Sequence, residues 1–352
     1  MKDDPSRPAT NGYENVKSVK RVDALEIESL PRGQFSRLFI ELIENGIGRP
    51  IQVPVVVARG KKDGPIFGLT AALHGNELNG IPVIHQLLQK LNLKTLKGSI
   101  VAVIATNIPG LLAEQREFND GQDLNHIMPG KPNGNQSQVY AYELVERVTS
   151  HFDYLVDLHT ASEGRVNSLY VRADLKQEMT SQMAYLLRPQ IIVHNPPSDY
   201  TLRGVADEQN KPAITVEICD PQRFQKNPTT RCLQGVRRIL SHVGMVPGKQ
   251  VSLPDPPVLC KKSYWIFTDR GGLLRVLPKV TDLVKKGELI ATQSNVFGDV
   301  IREYHASEDG IVIGKSVNPV SQSGARILHL GILMSKSGRQ ELVEISDGVA
   351  NE

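Results

Sequence analysis

The chain offers one histidine and one glutamate where a strand gives way to a helix. An apolar run over residues 66–73 reads as a buried strand and stops at His74-Gly75-Asn76-Glu77. A helical pattern (Ile81, Ile84, Leu87, Leu88, Leu91) follows, so the predicted helix covers about 78–91. Parallel α/β sheets hold ligands at the carboxyl ends of their strands, where these two residues fall. An imidazole nitrogen and a carboxylate oxygen three residues apart suit a borderline-soft ion such as zinc. Alone, His-x-x-Glu is equally the charged first turn of a surface helix. A metal site therefore needs a third ligand and a base from elsewhere in the chain.

His159 closes a second predicted strand, at 154–158, so it and His74 can stand side by side above one sheet. Asp157, two residues earlier on the same strand face, reads as a capping or salt-bridge carboxylate. Three protein ligands plus one open position is the pattern of catalytic zinc, with bound water made acidic. Glu217 lies near the end of an apolar strand at 213–218. A carboxylate facing an interior is costly without a job or a partner, which makes Glu217 the best candidate for a general base. In Asp123-Leu124-Asn125-His126, Asp123 can accept the other ring N–H of His74, and Asn125 can hydrogen-bond substrate. Arg116 can stabilise an oxyanion, or can be a solvated helical charge. Arg165 and Tyr170 follow His159 within reach of a substrate, and His194 ends another strand. His85, His151, His242, His305 and His329 lie outside the motifs and read as packed or surface groups.

The elements that must position these groups alternate in type. Strands are predicted at 35–43 and 51–58, joined by Asn45-Gly46-Ile47-Gly48, and then at 66–73, 100–105, 154–158, 168–171, 191–193 and 213–218. Helices are predicted at about 78–91, 138–149, 174–187 and 229–243, with a long irregular stretch at 107–136. This alternation argues for an α/β sheet covered on both faces. Residues 1–33 read as an N-terminal tail, loose over about the first twenty, and 34–248 as the domain carrying all the residues above. Around 246–257 Pro and Gly mark a linker, beyond which helical periodicity vanishes and short β segments recur, giving an all-β unit at 256–340. Two of its turns, at 284–291 and 306–312, resemble those of lipoyl or biotinyl carrier barrels. The modified lysine motif of true carriers is absent, so the unit reads as structural or substrate-gating.

A chain of 352 residues can bury one large core plus a smaller one. Its net charge of +3 is small and dispersed, which gives no electrostatic support for a nucleic-acid or membrane partner. Cys219, Cys232 and Cys260 are an odd count without metal-type spacing and fit reduced thiols. No signal core and no run of ~20 apolar residues is present, so the expectation is a cytoplasmic protein, with homo-oligomerisation left open.

The ordered set Leu73-His74-Gly75-Asn76-Glu77, Asp123-Leu124-Asn125, Asp157-Leu158-His159-Thr160 and Val216-Glu217-Ile218 resembles the succinylglutamate desuccinylase/aspartoacylase family, itself similar to zinc carboxypeptidases. The resemblance covers about residues 35–335. It implies a carboxypeptidase-like mixed sheet flanked by helices, with a smaller C-terminal barrel-like β domain. It also implies one Zn2+ per chain held by His74, Glu77 and His159, with Glu217 activating water and Arg116 polarising the scissile carbonyl. The implied activity of residues 34–248 is zinc-dependent hydrolysis of the amide bond of a small N-acyl amino acid. A carboxypeptidase trimming a short or modified peptide and a metal-bearing non-catalytic binding protein are the competing readings. One position departs from the family pattern: His126 stands where an arginine usually clamps a substrate carboxylate. A fork of donors is thus replaced by a shorter, titratable ring.

Overall fold

Four parallel strands form the centre of the protein, in the order Lys97–Val103, Lys62–Ala71, Tyr154–His159, Ala213–Ile218. The structure, a computed structural model, describes residues 19–197, 200–248 and 255–335. The central strands are near-continuous apolar runs because helices cover both of their faces. On one face pack Gly80–Gln89, Glu178–Leu187 and Lys226–His242, burying Val83, Ile84, Leu87, Met183, Val236 and Ile239. On the other, Gln136–Arg147 buries Tyr140, Leu144 and Val145. Asn135 starts that helix with a capping box: its side chain accepts from the Gln138 N–H, and the Gln138 side chain answers at Asn135.

The antiparallel pair Gln34–Glu44 and Pro50–Arg59 flanks Lys97–Val103. Its connection is tied by Asn45, whose Oδ1 accepts from the N–H groups of Ile47 and Arg49 at 3.0 Å each. Residues 20–30, read from sequence as the end of the tail, add a short strand, Lys20–Val22, and bury Leu25, Ile27 and Leu30 in the core. The remainder of that segment, residues 1–18, lies outside the described residues.

Beyond Ala213–Ile218 the sheet continues through Leu169–Ala173, antiparallel to it, and Ile191–His194. It then runs into the C-terminal part without a break. Val258–Phe267 pairs in parallel with Ile191–His194, and Arg326–Leu333, Gly310–Ser316 and Leu283–Val284 follow; with Arg165–Asn167, which pairs antiparallel with Gly310–Ser316, they complete a mixed sheet of 14 strands. Four more strands, Val300–His305, Leu289–Ser294, Gly272–Val276 and Val320–Ser321, form a separate antiparallel sheet. The unit expected at 256–340 thus divides its strands between the large sheet and a small one. Part of the expected linker (249–254) and the last residues of that unit (336–340) lie outside the described residues. Among the described residues, no helix is long and apolar enough to cross a membrane.

The long stretch at 107–136 holds a short helix, Ile108–Leu112, and a 3-10 turn, Leu124–His126, capped by the Asp123 side chain. The helix Leu202–Glu208 falls where no periodicity was read from the sequence.

Candidate active site

Strand register brings the chemistry-bearing residues together. Asp157 stands opposite Thr70, and Glu217 opposite His159, on neighbouring parallel strands. Beyond Ala71 the chain turns through Ala72 in the left-handed region (φ 52°), whose carbonyl accepts the N–H of Asn107. Gly75 follows in a place with no room for a side chain. A Cβ there would lie 1.9 Å from the carbonyl carbon of Gly110. This close approach delivers His74 and Glu77 over the ends of the strands.

His74, Glu77 and His159 are all buried, and a donor atom from each lies within 4.8 Å of the others. The outer nitrogen of each ring is held by a carboxylate. His74 Nε2 lies 2.9 Å from Asp123 Oδ1, and His159 Nε2 lies 2.7 Å from Asp157 Oδ2. Carboxylates only accept, so each Nε2 donates to its own carboxylate, and this turns each Nδ1 toward Glu77 and the centre of the cluster. Those two Nδ1 atoms face each other at 3.2 Å, and Glu77 lies 3.0 Å from each. Three lone-pair donors converging in a dry pocket repel unless a positive charge lies among them, so the residues fit a metal ion. The cluster draws positive charge. Burial would raise the pKa of Glu77, but His74 and His159 hold it well below the usual carboxylate range. Burial would likewise depress His159, yet Asp157 and Glu77 raise it well above an ordinary histidine, so without a metal the ring holds a second proton, which an ion would displace.

Glu77 also accepts from the backbone N–H of Thr160 at 3.0 Å and from Arg116 Nη1 at 2.8 Å. Arg116 donates further to Asp123 (Nε, 2.9 Å) and Ser162 (Nη1, 2.7 Å). It is therefore an ion-paired wall of the cluster rather than a solvated charge. Glu217 borders the same cleft. Its Oε2 accepts from Asn167 Nδ2 at 3.4 Å, and Arg172 Nε lies 3.8 Å from its Oε1. Burial, then the nearby charge of Glu77, raises its pKa despite Arg172.

The cleft encloses about 280 Å3. Asn125 and His126 border it, but Asn125 Oδ1 is engaged in accepting the Leu202 N–H at 2.9 Å. His126 projects at the rim with 75% of its side chain exposed, 3.9 Å from Asp123. Arg165 lies half-buried over Trp265. Tyr170 borders the cleft and accepts from Arg172 Nη2 at 2.9 Å. His194 accepts the Leu175 N–H instead of entering the cleft.

Asp157, read from the sequence as a capping or salt-bridge carboxylate, pairs with His159 Nε2 and so orients the ring. Sequence reasoning missed other groups. Arg203, which donates to Asn195, and Trp265 and Arg326 from the C-terminal strands also line the cleft. Nothing local to those segments marks them. His329, read as a packed group, is buried behind Trp265 with the rings stacked 5.0 Å apart.

Comparison with known proteins places this geometry in context. The model of the succinylglutamate desuccinylase/aspartoacylase catalytic domain matches residues 63–243. The N-alpha-acetyl-L-2,4-diaminobutyric acid deacetylase of Halomonas elongata is 23% identical over 320 residues, covering 86% of this chain and 92% of that protein. A succinylglutamate desuccinylase/aspartoacylase structure from Rhodobacter sphaeroides superposes with a TM-score of 0.79 at 20% identity, covering 90% of this chain and 100% of that one. The product-bound ectoine utilization protein of Ruegeria pomeroyi gives 0.78 at 21% identity, covering 86% and 98%. At such identities the solved structures speak for the fold alone. The matched segment, however, spans more than half of the chain and contains every strand that bears the His-Glu-His cluster and Glu217. The chain belongs to the succinylglutamate desuccinylase/aspartoacylase family.

Proposed function

We propose that this protein is a zinc-dependent deacylase that hydrolyses the amide bond of a small N-acyl amino acid. The observation that carries the reading is the meeting of two histidine Nδ1 atoms and Glu77 in a buried cluster, with Glu217 one strand away on the wall of the same cleft. His74, Glu77 and His159 would hold the metal, with Asp123 and Asp157 orienting the two rings. A zinc ion there supplies Lewis acidity and lowers the pKa of its bound water.

Glu217 takes the proton from the attacking water and returns it to the leaving nitrogen. A buried carboxylate with a raised pKa suits both halves of that transfer. Arg116 faces the cleft with its guanidinium anchored by Glu77 and Asp123, preorganised to donate to the oxyanion that develops on the carbonyl. Asn125, His126 and Arg165 border the space where the rest of the substrate lies. The names of the relatives support an acylated amino acid as substrate. Three free cysteines suit a reducing compartment, and we place the activity in the cytoplasm.

Elemental analysis of the purified protein, with assays against N-acyl amino acids and short peptides, tests the reading. One zinc per chain and turnover of an N-acyl amino acid are expected. Glu217→Gln should keep the metal and lose ~10²–10⁴-fold in rate. Full activity without metal, turnover of peptides alone, or a Glu217→Gln rate within threefold of the parent would overturn it.

A further inference from the structure

Five arginines border the cleft, and they are not equivalent. Arg116 is paired with Glu77 and Asp123, Arg172 with Tyr170 and Glu217, and Arg203 with Asn195. Among the described residues, the side chains of Arg165 and Arg326 have neither an ion pair nor a hydrogen-bond acceptor. Both lie against one ring, with Arg165 Cζ 5.8 Å and Arg326 Cζ 5.5 Å from the centroid of Trp265. That ring is fixed from behind by His329, stacked at an interplanar angle of 11°, whose Nε2 lies 2.9 Å from Ser263 Oγ.

We propose that Arg165 and Arg326, braced on Trp265, form an anion subsite that takes a carboxylate of the substrate. Two guanidiniums held at one aromatic ring repel each other, and an anion between them removes that cost while satisfying their forked donors. Burial, then Arg326, then Arg116 depress Arg165 to about 10, against the opposing pull of Glu77 and Glu217. Glu163, the acidic side chain two residues before the strand that Arg165 opens, is exposed and pairs with neither arginine among the described residues. The two arginines also border a second, more open cavity of about 400 Å3, between the loop holding Glu163 and the C-terminal strands. They therefore border both the cleft and this outer cavity, so a substrate reaching from the His74–Glu77–His159 cluster toward that cavity meets them. Two of the three side chains, Trp265 and Arg326, come from paired antiparallel strands of the C-terminal part. On this view that part contributes to specificity directly, as well as to shape.

The proposal rests on the deacylase reading only for the position of the scissile bond, and two measurements separate their failures. The first compares, for the parent and for Arg326→Gln, Arg165→Gln and Arg326→Lys, an N-acyl amino acid with its carboxamide analogue. The comparison is run once with the carboxylate at the amino-acid end and once with it at the far end of the acyl group. Each glutamine variant should cut the acid-over-amide preference in KM at least tenfold (about 1.4 kcal/mol) at one end only, with kcat changed less than threefold. Lysine should restore part of the preference, and the affected end identifies which carboxylate is bound. The second titrates the holoenzyme with glutarate by calorimetry. Binding should weaken at least tenfold in Arg326→Gln and be unaffected in Arg275→Gln, an exposed residue away from the cleft. If no amide is hydrolysed but glutarate binding follows this pattern, the deacylase reading fails and the subsite stands. An acid-over-amide preference unchanged at both ends, or glutarate binding that is absent or insensitive to Arg326, overturns the subsite.

Discussion

Replacing Asp157 with asparagine isolates the contribution of a single outer carboxylate to the His74–Glu77–His159 cluster. The side chain is wholly buried, and each of its oxygens has one partner. Oδ2 holds His159 Nε2 at 2.7 Å, and Oδ1 accepts from the Thr70 hydroxyl at 2.6 Å. Asparagine is nearly isosteric but carries one acceptor and one donor group. If its oxygen stays with Thr70, its NH2 meets the His159 N–H, and the ring must shift its proton to Nδ1, the atom that faces the cluster. If its oxygen turns to His159, the tautomer survives, but a neutral partner replaces a charged one and the buried Thr70 hydroxyl loses its acceptor. Charge-assisted bonds are roughly twice as strong as neutral ones, and an unsatisfied buried group costs about 1–3 kcal/mol. Outer partners of metal-ligating histidines are typically worth ~10–100-fold in affinity. Both routes therefore predict a loss of about 1.4–2.7 kcal/mol in zinc binding. Competition against a chromophoric chelator, with circular dichroism to confirm the fold, measures it. An affinity within twofold of the parent in a folded variant would refute the reasoning.

Two further predictions concern the frame of the site. Gly75→Ala places a Cβ 1.9 Å from the backbone of Gly110, so the loop carrying His74 and Glu77 must move. A loss of stability of the ~1–3 kcal/mol typical of overpacking, read as a lower Tm, and reduced zinc retention are expected; an unchanged Tm would contradict the packing argument. Glu217→Gln should stabilise the metal-free protein at neutral pH while removing activity, because the folded pKa of Glu217 is raised above its reference value of 4.5. Such a group costs stability at pH values above the folded pKa, and the cost disappears below the unfolded one. The gain in Tm should accordingly shrink as the pH falls toward 4.5; a variant less stable than the parent at pH 7 would reverse the sign.

The sequence by itself determined where the central strands end and what stands there. An apolar run that stops at His74, a strand closing on His159 and Glu217 near the end of another are local patterns, set by burial on both faces of a sheet. The helices around 80–89 and 226–242 were legible for the same reason: their apolar periodicity reports a face that must be covered. Less was legible where no periodic face exists. The short helix Leu202–Glu208 and the ordered turn Leu124–His126 are held by individual side chains, Thr201 and Asp123, rather than by a repeating pattern. Which partner each group meets was decided only in the tertiary structure. Asp157 faces the His159 ring because Thr70 anchors it from the neighbouring strand, and Arg116 folds back onto Glu77 and Asp123 instead of reaching solvent. Trp265 and Arg326 reach the cleft because the large sheet runs on from Ile191–His194 into Val258–Phe267 and Arg326–Leu333. Periodicity reports which face of an element is buried; it carries no information about which distant strand will lie beside it, and hydrogen bonds a few ångströms long depend on that register.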